Sequence, residues 1–196
     1  MINDKYMDLI DPSKKEAYTE YKNGTLHEFA FQSHQPVLIH ILNTITKGDV
    51  LEIGVGHYST PIFHLICGKQ ERNLLSIETD INWASTFFPY IRSGHKVRHI
   101  ERDELIKLKD PLFDKKYSIV FVDGPVAHDR QLFIKRVNAD YIIVHDTQSV
   151  VTGIDDDYCY DFSTFKHIHH FTSCTPMTSV LSNLDKINNK ILTVFK

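Results

Sequence analysis

Several features that would classify a chain quickly are scarce in this one. Its 196 residues contain three cysteines, Cys67, Cys159 and Cys174. An odd number without a C-x-x-C pair implies neither a disulfide framework nor a zinc knuckle. No apolar run approaches the roughly 18 residues that a membrane-spanning helix needs. The first residues, MINDKYMDLIDPSKKEAYTEYKNG, are charged and have no apolar centre, so they do not read as a secretory signal. Neither sign of charge dominates: Lys and Arg total 22, Asp and Glu total 25, and the formal charge is −3. That argues against a strongly basic nucleic-acid binder. There is no internal repeat and no low-complexity tract. The expectation from these absences is one cytoplasmic domain with reduced thiols, no membrane partner and no nucleic-acid partner.

What is abundant is more informative. Hydrophobic residues make up 42% and aromatic residues 11%, the composition of a globular chain. Histidine is in excess, with 12 copies and no terminal run. That excess invites a metal or acid–base reading, but sorting by position thins it. His27, His34, His40, His64, His95 and His99 fall on flanking helices, loops or sheet positions with no evident partner. His167, His169 and His170 lie in one run, Lys166-His167-Ile168-His169-His170. As a strand this run would put His167 and His169 on one face. With no third ligand nearby in sequence, a solvated face is expected rather than zinc. Only His57, His128 and His145 fall where a parallel sheet would end.

Such a sheet is legible between Gly48 and about Thr147. Short apolar runs recur every 20 to 25 residues, each rich in β-branched side chains: Val50–Val55, Leu74–Ile77, Val97–Ile100, Ile119–Val122 and Tyr141–Val144. Runs apolar throughout suit strands buried on both faces, and the spacing leaves room for one helix between strands. Two helices are expected before the first strand, over residues 13–22 and 33–46. Ser33 would be the N-cap of the second and Pro36 would lie in its first turn. Phe165–Thr172, Met177–Ser182 and Ile191–Phe195 read as strands joined by connections too short for crossover helices, hence antiparallel. The expected fold is α/β: a Rossmann-like three-layer sandwich with a mostly parallel sheet and C-terminal antiparallel strands.

The richest segment is Val50-Leu51-Glu52-Ile53-Gly54-Val55-Gly56-His57-Tyr58-Ser59-Thr60. A buried strand ends in Gly-x-Gly, and a helix is expected from Ser59 or Thr60 with Pro61 at its first position. Glycine there lets backbone approach a ligand, and the helix presents free N–H groups. Ser59 stands where the dinucleotide fingerprint has its third glycine. Glu52 is an acid inside an apolar strand, where burial is costly unless something satisfies it. Glu78 ends the second strand, 22 residues after Gly56, the distance at which nucleotide folds place a carboxylate for ribose hydroxyls.

Glu-x-Gly-x-Gly on the first strand, with an acid closing the second, resembles the class I S-adenosylmethionine-dependent methyltransferases over roughly residues 48–182. The resemblance implies that Gly54 and Gly56 approach the methionine part of S-adenosylmethionine. It implies that Glu52 organises the turn and the cofactor's amino group, and that Glu78 accepts from the ribose hydroxyls. Asp103, with Glu101 as rival, would sit near the adenine amino group. His57, Ser59, Thr60 and Asp123 complete the expected cofactor set. Residues 1–47 would form a helical segment packed on a methyltransferase-like domain spanning 48–196.

The carboxyl ends of the fourth and fifth strands read Val122-Asp123-Gly124-Pro125 and Val144-His145-Asp146-Thr147, with His128 and Arg130 just beyond the first. Ligands in open α/β sheets lie at these ends. The Asp-Gly-Pro and His-Asp pairs resemble members of that family that methylate small molecules or sugars. Asp123, Asp146, His145 and His128 are therefore the candidate catalytic residues for O-methylation of a small molecule or saccharide. Asp123 and Asp146 could instead hold Mg²⁺. Arg130 reads equally as a partner for an anionic substrate group or as a helix-surface residue. Two other readings compete: an NAD-dependent oxidoreductase, and a nucleotide-binding module without chemistry.

Overall fold

The computed structural model describes residues 32–124, 126–153 and 158–195. The helix expected over 13–22 and His27 lie outside them. Helix α1 spans Gln35–Thr44, β1 Val50–Ile53, α2 Thr60–Lys69, β2 Leu74–Glu78, α3 Ile81–Ser85 and β3 His95–His99. These are followed by α4 Arg102–Leu105, β4 Lys116–Val122, α5 Ala127–Arg136, β5 Asn138–His145, α6 Gln148–Thr152, β6 His167–Phe171 and β7 Thr178–Ser182. The seven strands form one sheet in the order β3-β2-β1-β4-β5-β7-β6. The first five are parallel, and β7 runs antiparallel between β5 and β6. The order in which strands are added reverses between β1 and β4, and that switch point opens a crevice at the strand ends.

Alternation along each strand splits the core into two layers. Val50, Ile119, Phe121, Tyr141, Ile143 and Val180 join Val37, Leu38, Ile41 and Leu42 of α1 and Phe63 of α2 on one face. Leu51, Ile53, Val120, Val122, Ile142 and Val144 pack with Phe133 and Ile134 of α5 on the other. The same period sends Glu52, Asp123 and His145 toward the α1/α2 face, because each follows an α1-facing residue by two positions. Three strand ends thus aim polar groups at one place.

Two expectations are corrected. Ser33 does not cap α1. The cap position is His34, without a side-chain cap bond, while Pro36 lies in the first turn. Ile191–Phe195 is a 3-10 turn, not a strand. It packs on α1, where Ile191 is buried with the α1 core and the Lys190 carbonyl accepts from His40 Nε2 at 2.7 Å. Among the described residues, no helix is long and apolar enough to cross a membrane.

Candidate functional site

The first-strand turn is held from below by Glu52. Its side chain is fully buried, and its carboxylate accepts from Ser59 Oγ at 2.7 Å, from Thr60 Oγ1 at 3.0 Å and from Ser76 Oγ at 2.6 Å. Burial pushes the Glu52 carboxyl up to about 7, against the three hydroxyl donors that hold it down. Thr60 Oγ1 also accepts from the Gly56 N–H at 3.0 Å, so strand, turn and helix start are tied through one hydroxyl. Ser59 serves as the N-cap residue of α2, but its hydroxyl is spent on Glu52 rather than on the helix.

Glu52 is linked onward. Ser76 Oγ lies 3.1 Å from His95 Nε2, and His95 Nδ1 lies 2.9 Å from His64 Nδ1. With the Ser76 proton directed at Glu52, His95 Nε2 is the donor to Ser76. Burial, then His64 and Arg92, lower the His95 pKa to about 4. His64 and His95 are therefore partnered, contrary to the reading from sequence. His99 likewise reaches the Thr79 carbonyl at 3.2 Å. His167 and His170 are half-buried on opposite faces of β6 and bond the Leu184 carbonyl and Ser179 Oγ, so the His167 face is not simply solvated.

The two glycines of the turn differ. Gly54 has φ +93°, and a Cβ there would lie 2.3 Å from the Asp123 carbonyl oxygen. Its smallness serves the crossing of β1 and β4. A Cβ on Gly56 would meet only Ser59 Oγ, at 3.4 Å, and both residues line the cavity.

That cavity measures about 530 Å³ and is lined by Gly56, His57, Ser59, Trp83, Asp123 and Asp146, with His34, Arg130, His145 and Tyr158 among the others. The His57 ring packs on Trp83 and Phe87, both with centroids at 5.1 Å. Trp83 Nε1 donates to the Val55 carbonyl at 2.8 Å, and Glu78 Oε2 accepts from the Val55 N–H at 3.2 Å. Glu78 Oε1 accepts from the N–H groups of Thr79 at 2.7 Å and Asp80 at 3.1 Å. Glu78 thus organises backbone, with acceptor capacity left on Oε2.

Glu78 and Gly54 line a second recess of only about 10 Å³, with Leu105, Gly124, Asp129 and Phe133. That is room for about one water. Asp129 is held there by a two-pronged ion pair with Arg102, at 2.7 and 2.9 Å. The residues present fit the methionine part of S-adenosylmethionine in the larger cavity. The recess beside Glu78 is too small for a nucleoside, and Asp103 is exposed on α4, away from both spaces.

At the carboxyl edge, Arg130 Nη2 lies 3.0 Å from Asp123 Oδ1 and Nη1 lies 2.9 Å from Asp146 Oδ2. Its Nε donates to the Gly124 carbonyl at 2.7 Å, and its guanidinium lies 4.8 Å over the Tyr158 ring. The cation between the two carboxylates is therefore this guanidinium, and nothing in the arrangement favours Mg²⁺ there. Arg130 is buried, so its reading as a surface residue is excluded. Tyr158 donates to Asp146 Oδ2 at 2.8 Å, and Asp146 adopts φ +59°. A left-handed, tightly held non-glycine residue is typical of functional strand ends.

His145 is buried between Asp123 Oδ1, 3.3 Å from Nδ1, and Ser33 Oγ, 2.8 Å from Nε2. Burial lowers its pKa most, but the Asp123 charge, the Asp123 hydrogen bond and the Asp146 charge together outweigh burial, and the net shift is upward. Burial alone would raise the Asp123 carboxyl; His145 and Arg130 bring it below the usual range. His128 is not part of the cluster: it is exposed on α5 and lines neither space. Ser33, His34, Trp83 and Tyr158 carry no signal in the sequence that marks them as site residues. His145 lies 112 residues from Ser33, and no local pattern signals such a contact.

No family model matches the sequence, and no curated protein matches it. Solved structures do. An O-methyltransferase from Bacillus cereus in complex with SAH is 14% identical, with a TM-score of 0.58 over 92% of this chain and 96% of its own. Cofactor-bound Rv0187 from MTB is 16% identical, with a TM-score of 0.56 over 93% and 96%. At such identities the likeness speaks for architecture: this chain has the Rossmann-like methyltransferase fold.

Proposed function

We propose that this chain transfers a methyl group from S-adenosylmethionine to an oxygen of a small molecule or saccharide. The observation that carries the reading is the juxtaposition, in one cavity, of the Gly56 turn at the start of α2 and the Asp123–His145–Asp146 cluster. In this reading Gly56, His57 and Ser59 border the methionine part, and the recess beside Glu78 opens on binding so that Glu78 uses its remaining acceptor capacity for the ribose. Glu52 and Thr60 act from beneath, by fixing the turn. The sulfonium supplies the methyl group, and transfer needs in-line placement and a deprotonated oxygen. The acidic cluster takes the acceptor's proton, while Arg130 keeps the two carboxylates apart in fixed positions.

The nicotinamide reading fares worse. A dinucleotide fold has the order 3-2-1-4-5-6, whereas here an antiparallel β7 separates β5 from β6. A binding module without chemistry would have no use for a strained Asp146 held by Arg130 and Tyr158. The test is a methyl-transfer screen over catechols, sugars and small acids, using S-adenosylmethionine labelled in the methyl group. Label in an O-methylated product is the expected result. Turnover with NAD in place of it would transfer the assignment to the oxidoreductase class.

A further inference from the structure

His34 is the least satisfied polar side chain around the cavity. It is buried, and among the described residues neither ring nitrogen meets a partner at hydrogen-bond geometry, although the Tyr58 backbone lies close enough to act on its titration. Leaving such a group unsatisfied costs about 1–3 kcal/mol, and an orphan of this kind commonly marks the place of an ion or ligand. Burial, then the neighbouring His145, hold the His34 ring neutral, with its pKa down to about 3. A neutral imidazole keeps a lone pair for coordination.

Two further donors stand beside it. The His34 and His145 rings meet edge to face, with centroids 4.7 Å apart. Asp123 spends Oδ1 on Arg130 and His145. Among the described residues, its Oδ2 accepts no hydrogen bond. One ligand atom from each of His34, Asp123 and His145 can be chosen so that all lie within 4.8 Å of one another. Around a zinc-sized ion with bonds of about 2.0–2.2 Å, tetrahedral ligand atoms are roughly 3.4 Å apart, so a small inward closure suffices.

We propose that His34, Asp123 and His145 form a binding site for a divalent transition metal of the zinc class, with two imidazole nitrogens and one carboxylate oxygen as protein ligands. Nitrogen donors select against Mg²⁺ and Ca²⁺, which take oxygen ligands. The site therefore differs in position and in chemistry from an ion held by Asp123 and Asp146. Arg130 remains on Asp123 Oδ1 and orients that carboxylate from outside. With His145 neutral, as a metal ligand must be, the carboxylates of Asp123 and Asp146 against the Arg130 guanidinium leave a net negative charge for a dication. Coordination exchanges one hydrogen bond of His145, to Ser33 or to Asp123, for a metal bond. Three protein ligands leave a fourth position for water or an acceptor oxygen, and all three line the cavity that holds the Gly56 turn. A role in activating the acceptor rests on the methyl-transfer reading. Metal binding does not.

The test uses the full chain, stripped with a chelator and titrated with Co²⁺ as a spectroscopic probe. The expected result is uptake of one equivalent, with visible d–d absorption. Zn²⁺ should displace the cobalt, and millimolar Mg²⁺ should not. His34→Gln should weaken Co²⁺ binding by more than roughly 100-fold, beyond the 10–100-fold that outer-shell substitutions cost, while Asp146→Asn keeps the stoichiometry. Absence of stoichiometric uptake by the unaltered chain overturns the proposal, whatever the variants do. An unchanged spectrum and affinity in folded His34→Gln, verified by circular dichroism, also overturns it. S-adenosylmethionine binding, measured on the same stripped preparation, reports the methyl-transfer reading separately.

Discussion

The Thr60 hydroxyl reaches back eight residues to the Glu52 carboxylate, at 3.0 Å from Oε1 and 3.1 Å from Oε2. The same oxygen accepts from the Gly56 N–H. A single buried acid therefore sets the turn that the cavity is built on. Glu52→Ala strips three hydroxyl groups of their acceptor, and it should destabilise the fold by about 3 kcal/mol or more. Glu52→Gln preserves shape and one acceptor oxygen, and should cost roughly half as much. Denaturant unfolding of both variants checks this order. Equal stability of Glu52→Ala and the unaltered chain would remove Glu52 from the account of the turn.

The same group predicts a pH dependence. Burial raises the folded-state pKa of Glu52 from 4.5 to about 7. Between those values the folded chain holds a proton that the unfolded chain has released, so folding takes up a proton. The contribution of Glu52 to stability should therefore fall as pH rises from 4.5 to 7 and be level on either side. Its full amplitude is on the order of 3 kcal/mol. In Glu52→Gln that slope should disappear from unfolding free energies measured across pH 4 to 8. A slope unchanged by the substitution would assign it to other groups.

Gly54 and Gly56 should respond oppositely to alanine. Gly54→Ala sets a methyl group against the Asp123 carbonyl at a left-handed φ, so the backbone crossing must open. A loss of about 3 kcal/mol or more is expected, with poor folding. Gly56→Ala meets only the Ser59 hydroxyl and should cost under about 1 kcal/mol. Gly56 lines the cavity, so S-adenosylmethionine binding should fall while the melting temperature holds. A folded Gly56→Ala that binds as before would show that the cofactor does not approach this backbone.

Arg130→Met removes the guanidinium shared by Asp123 and Asp146 and leaves the two neighbouring carboxylates with His145 and Tyr158 alone beside them among the described residues. Breaking such a buried network costs about 3–5 kcal/mol. Adding Asp146→Asn should recover part of the loss, because the like-charge pair is gone. A double-mutant cycle from thermal unfolding measures that coupling. Strictly additive losses would mean that Arg130 and Asp146 act independently.

Much of this was legible in the residues. The wholly apolar runs Ile119–Val122 and Tyr141–Val144 could only be strands covered on both faces, and they are the central β4 and β5. Gly-x-Gly before Pro61 marked the turn and the start of α2. Ile191–Phe195 misled because its apolar content suits a strand. Its burial comes instead from α1, a contact 150 residues away in sequence that no local pattern encodes. His34 escaped for the same reason: next to Pro36 it looks like any residue at a helix start, and only its position against His145 sets it apart. Arg130 was ambiguous because charge alone does not tell a buried ion pair from a solvated helix face. Asp103 and His128 had suitable spacing, but α4 and α5 turn them outward, a matter of helix phase over one turn.

The central claim is that this cavity takes S-adenosylmethionine. Calorimetric titration of the full chain tests it most directly, with NAD titrated in parallel. The account predicts saturable binding at one site, weakened in Glu78→Ala through lost ribose contacts, retained in Asp146→Ala, and absent for NAD. Absence of heat with millimolar S-adenosylmethionine, from a chain shown to be folded, would contradict it.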